Sequence, residues 1–167
     1  MSLRKKKTEP IVMTVNSTDA NQSDLDHIRS EAFKALSEMA RIYSSVREAS
    51  VKTKINELMR ITDKIAQDAT EDPTDIPQIK RFFNYYLPTT IKLLNAYDRM
   101  SAQGIEGDNI NKSLNSIDEM LDKAIIAYKK RLDTLFANQA LDIETDISVM
   151  NTLLEREGLT DSAGDFM

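Results

Sequence analysis

The residues that could do chemistry in this chain are few. There is one histidine, His27, and no cysteine, so a Ser-His or Cys-His nucleophile would rest on a single side chain near a helix start. Asp24-Leu25-Asp26 has the look of a phosphatase aspartate pair. That chemistry places its nucleophile after a buried strand, whereas here the pair opens a helix, where aspartate caps and offsets the dipole. Asp142, Glu144 and Asp146 form a second acidic cluster. Asp142 and Asp146 lie four apart and can share a helix face, a geometry open to Mg²⁺ or Ca²⁺ through oxygen ligands. No EF-hand loop and no Glu-x-x-His pair accompanies them, and carboxylates at a helix start are favourable without metal. They are weak metal candidates, no catalytic residue is assigned, and no cofactor is implied. Lys129-Lys130-Arg131 is the densest internal basic run, but consecutive helical residues fan out over a wide arc.

One stretch stands apart: residues 79–97, IKRFFNYYLPTTIKLLNAY. Ile79, Phe82, Phe83, Tyr86, Thr90, Leu93, Leu94 and Tyr97 cover well over half of a helix circumference, which marks a central, buried helix. Pro88 removes one hydrogen bond and crowds the carbonyl of Asn84, so a kink is expected there. Tyr85 and Tyr86 need partners for their hydroxyls if buried, and Lys80, Arg81, Lys92 and Arg99 share the helix. These six residues form the candidate surface for a partner segment or an anionic group.

The elements that must position this stretch are helices. Leu25, Ile28, Ala32, Ala35, Met39, Ile42 and Val46 step by three or four along one face. After a phase break near 47–50, Val51, Ile55, Leu58, Thr62, Ile65 and Ala69 resume the pattern; one long bent helix is the competing reading. Asp72-Pro73 breaks the chain. Asp75, three before Gln78 and with Pro77 in the first turn, reads as a capping box. The third helix spans about 76–102 and ends at Gly104 and Gly107. The fourth, from Asp108 or Asn109, carries a stripe from Ile110 to Leu135. Asp142 caps a fifth helix with Ile143, Ile147, Met150 and Leu154 inward, and Gly158 stops it. The expected fold is all-α: an antiparallel bundle of four to five helices, the third kinked at Pro88. Residues 1–23 read as a flexible tail, 24–159 as a single helical domain and 160–167 as a frayed end.

Composition narrows the function classes. With 22 Lys+Arg against 27 Asp+Glu the formal charge is −5, which speaks against a general nucleic-acid binder. Four glycines, none in a Gly-rich loop, exclude phosphate-cradling turns. The lack of cysteine removes disulfides and zinc-thiolate sites and is compatible with a reducing compartment. No apolar run approaches the roughly 20 residues that span a bilayer. Arg4–Lys7 is followed only by the short run Ile11–Val15, which does not read as a signal peptide. The chain is expected to be cytoplasmic, with membrane association only where the native protein carries N-terminal helices ahead of this sequence. Homo-oligomerisation through one helix face stays open.

Arg81-Phe82-Phe83-Asn84-Tyr85-Tyr86-Leu87-Pro88-Thr89-Thr90, with Lys92-Leu93-Leu94 and Tyr97 after it, closely resembles the signature of the XpaC-like family. The likeness continues in 51–65, in the Asp-Pro turn at 72–73, in Leu141–Ile147 and in Glu157-Gly158-Leu159, covering roughly 24–160. The family is also called the 5-bromo-4-chloroindolyl phosphate hydrolysis protein family. The resemblance implies a bacterial protein of stress or envelope function, acting with a TelA-like toxic-anion-resistance partner as a helical interaction module. The family's name implies the alternative, a phosphate-ester hydrolase; the acidic pair read above, Asp142 and Asp146, is where a metal would assist it. Many members carry N-terminal membrane helices that this sequence lacks. No family catalytic residue maps onto it.

Overall fold

The first two apolar stripes do what their spacing demands. Ile28, Ala32, Ala35, Met39, Ile42 and Val46 are all buried, as are Val51, Ile55, Leu58, Thr62, Ile65 and Ala69. A computed structural model describes residues 2–160, with side chains from residue 20 onward. In it α1 covers Ser2–Ser45 and α2 covers Ala49–Glu71. The phase break is therefore a true interruption of three residues rather than a bend.

α1 begins well before Leu25, where its apolar stripe starts in the sequence. The segment read as a tail, Ile11–Val15 included, has a helical backbone as far as Ser2. Extending a helix already formed adds a hydrogen bond per residue without a new nucleation cost, and that outweighs weak local propensity. The end expected to fray lies, apart from Thr160, outside the described residues.

After α2 the chain turns through a 3₁₀ segment, Pro73–Asp75, into α3 (Ile76–Arg81), a π turn (Phe82–Tyr86) and α4 (Leu87–Ala102). These last three run on without a break and make one interrupted helix. The capping box expected at Asp75 does not form: its side chain caps nothing and is buried. Asp72 takes that role, its Oδ1 accepting from Thr74 N at 3.2 Å and from Thr74 Oγ1 at 2.5 Å. An aspartate directly before Pro73 is placed to catch the two donors of the tight turn, which frees Asp75 to face inward.

The irregularity expected at Pro88 lies one turn earlier. Leu87 N–H donates to Phe82 O, a five-residue bond in place of a four-residue one. Proline cannot donate to Asn84 and its ring needs room there; a widened turn supplies the room without ending the helix.

Gly104, with φ +65°, closes α4, and α5 (Asp108–Leu135) follows. Ile117, Leu121 and Tyr128 are its buried residues up to Leu132. Lys54 Nζ of α2 reaches Asp118 at 2.7 Å and Asp122 at 3.0 Å, and Lys129 reaches Glu57 at 3.3 Å. Arg60 beside it, and then Lys129, hold the Glu57 carboxyl down at about 2. α6 (Ala137–Arg156) starts earlier than Asp142 suggests, because Ala137 to Leu141 are compatible with helix. None of its residues is buried, and Ile143, Ile147 and Met150, expected inward, are about half exposed. By contacts the chain divides between Leu132 and Asp133 into two compact units. The described residues contain no strand.

Candidate functional site

The aromatic stretch splits by direction. Phe82 and Phe83 are 1% and 2% exposed; Tyr85 and Tyr86 are 68% and 50% exposed. The two phenylalanine rings lie 5.3 Å apart, and Phe82 meets Tyr128 of α5 edge-on at 4.6 Å. The Phe pair therefore fixes the helix in the core while the tyrosines look out beside the π turn.

A short relay of hydrogen bonds stiffens this turn. Thr89 Oγ1 donates to Tyr85 O at 3.1 Å and Thr90 Oγ1 to Tyr86 O at 2.9 Å. Tyr128 OH in turn donates to Thr90 Oγ1 at 2.6 Å. The two threonines bond back one turn to carbonyls of the π segment, and the buried Tyr128 phenol finds its partner in Thr90. Burial pushes the Tyr128 phenol well up, and its bond to Thr90 offsets this only in part.

Outside the relay lies a groove of about 330 Å³ between α4 and α5. Tyr85, Tyr86, Thr89 and Leu93 form one wall; Met120, Ala124 and Ala127 form the other, with Lys123 on the rim. The alanines leave the space, since their neighbours on the same stripe are large. A smaller depression of about 120 Å³ continues it past Tyr86 and Tyr128 to Arg131. The Arg131 guanidinium sits 5.9 Å from the Tyr86 ring, and its Nη1 donates to Gln78 Oε1 at 3.5 Å.

The expected surface residues are divided by this geometry. Tyr85 and Tyr86 come together on the groove. Lys80 is engaged by Asp24 at 3.1 Å, while Arg81, Lys92 and Arg99 are exposed and are not among the groove's lining residues. The basic groups at the groove, Lys123 and Arg131, come from α5. Their signal was present in the spacing of Met120, Ala124, Ala127 and Arg131, three or four apart, with Lys123 next to Ala124 and Tyr128 next to Ala127.

Catalytic groupings are sparse. His27 is exposed, and Asp142 and Asp146 are exposed on α6. Among the described residues no group of three His, Cys, Asp or Glu side chains could hold a metal ion. The groove itself offers phenols, threonine hydroxyls already engaged and one ammonium, a set suited to docking rather than to proton transfer. No helix among the described residues is long and apolar enough to cross a membrane.

Fold and site together define an all-α protein that carries an apolar, tyrosine-lined interhelical groove. The chain belongs to the 5-bromo-4-chloroindolyl phosphate hydrolysis protein family, whose model matches residues 3–150. Neither a curated protein nor a solved structure matches it.

Proposed function

We propose that the chain is a helical interaction module whose docking surface is the groove between α4 and α5. The observation that carries this reading is the exposure of Tyr85 and Tyr86 over a mostly apolar groove with small side chains in its opposite wall. Exposed tyrosines beside a concave apolar surface are typical anchors for a partner, and alanines let a second backbone approach. The occupant is a helical segment of a TelA-like protein, the partner implied by the family resemblance. Lys123 and Arg131 at the rim select an acidic flank on that helix. Binding of a purified TelA-like protein, compared between wild type and a Tyr85→Ala/Tyr86→Ala variant, tests the reading. Both side chains are exposed, so the variant is expected to fold and to lose binding; unaltered binding contradicts the proposal.

A second reading rests on the family description, hydrolysis of 5-bromo-4-chloroindolyl phosphate. In that case Asp142 and Asp146 would hold a divalent ion against the ester. An assay of highly purified chain with added Mg²⁺ or Mn²⁺ separates the two. The interaction reading expects turnover to fall away with purification. Turnover that persists and disappears in Asp142→Ala establishes the hydrolase.

A further inference from the structure

Asp68, on the inner face of α2, and Asp75, at the end of the 3₁₀ turn, are 4% and 6% exposed. Each has a buried Oδ2 that meets no donor from the described residues. The charges that act on Asp68 are Asp75, Asp72 and Glu71, all acidic. α1, packed against this end of α2, presents Arg29, whose Nη2 donates to Thr70 Oγ1 at 3.3 Å. It also presents Asp24, which is engaged by Lys80 near the end of α3. No ion pair to Asp68 or Asp75 exists among the described residues. Two ionised carboxylates left this way would be costly, whereas one proton satisfies both: the protonated carboxyl donates to the other.

We propose that the turn joining α2 to α3 is a proton-operated latch, closed by one proton held between Asp68 and Asp75 and loosened when that proton leaves. Burial first, then the hydrogen bond and charge of Asp75, push the Asp68 carboxyl up to about 7. A metal ion is the poorer occupant: no third His, Cys, Asp or Glu side chain among the described residues joins the pair to hold one, and an ion bound by two carboxylates keeps several waters that so buried a pair does not meet.

The sign is fixed by linkage. The folded chain holds the Asp68 proton up to about pH 7, while the unfolded chain releases it near its ordinary 3.8. The stabilisation is complete below about pH 4, falls as pH rises, and is gone above about 7. Over that window the unfolding constant attributable to Asp68 grows about tenfold per pH unit. Asparagine keeps a donor for Asp75 and carries no charge, so Asp68→Asn is expected to remove this slope.

Two measurements on the full chain decide the matter. Carboxyl ¹³C NMR of wild type from pH 4 to 9 is expected to show one aspartate, Asp68, with a midpoint near 7. Urea unfolding over the same range is expected to show a wild-type stability that falls between pH 5 and 7, and a difference from Asp68→Asn that levels off above. A midpoint near 4, or parallel stability profiles for the two proteins, overturns the latch. So does stabilisation of wild type, but not Asp68→Asn, by millimolar Mg²⁺ or Ca²⁺ at pH 8, which assigns the pair to a cation. Should Asp68→Asn fail to fold, the wild-type titration alone decides.

Discussion

Tyr128 shows how a single polar side chain can hold a widened helical turn in place. Its hydroxyl donates to Thr90, and Thr90 donates onward to the carbonyl of Tyr86. Tyr128→Phe removes one link but leaves Thr90 bonded, so urea unfolding should show a loss of about 1 kcal/mol. Tyr128→Ala also opens a cavity against Phe82 and should cost about 3–5 kcal/mol. At this scale much was legible beforehand. The period of the apolar residues places Phe82 and Phe83 inside; Tyr86, counted in the same apolar arc, is half exposed instead, and Tyr85 looks out beside it where the turn widens. The inward turn of Asp75 was not legible, because an aspartate three before Gln78 reads equally well as a cap. Asp68 is seven residues beyond Ile61 and shares its face, which is the one sequence clue to a buried carboxyl.

Pro88 is the informative position at the level of elements. A proline inside an apolar helical stretch predicts irregularity; its form and place depend on which neighbours can absorb the strain. Here Phe82–Tyr86 absorb it as a π turn, to whose last two carbonyls Thr89 and Thr90 also bond. Pro88→Ala restores a donor and removes the ring. It should raise stability by about 1–2 kcal/mol and slow amide exchange across 82–88. Unchanged stability and exchange would show that core packing, not proline, demands the wide turn. The breaks at 46–48 and 72–75 and the end at Gly104 follow their sequence signals closely, since loss of phase, Asp-Pro and glycine leave a helix few alternatives. α6 follows them less well: its apolar row reads as inward, yet no residue of it is buried. Periodicity reports that a face is apolar, not what covers it.

For the whole molecule, family membership and the helical fold stand together, and neither supplies an active site. The proposed docking surface is the groove beside Tyr85 and Tyr86, built from α4, which the aromatic stretch announced, and from α5, where the apolar stripe drew attention and Lys123 and Ala127 did not. Grooves are made by pairs of helices, so half of this one could not be read from either segment alone. The most direct measurement is the dissociation constant of a purified TelA-like protein for wild type and for Tyr85→Ala/Tyr86→Ala, with circular dichroism confirming equal helicity. An interaction module using this groove predicts at least about tenfold weaker binding by the variant, the loss of roughly 1.4 kcal/mol or more expected for truncated aromatic anchors. Equal constants for the two proteins would contradict it.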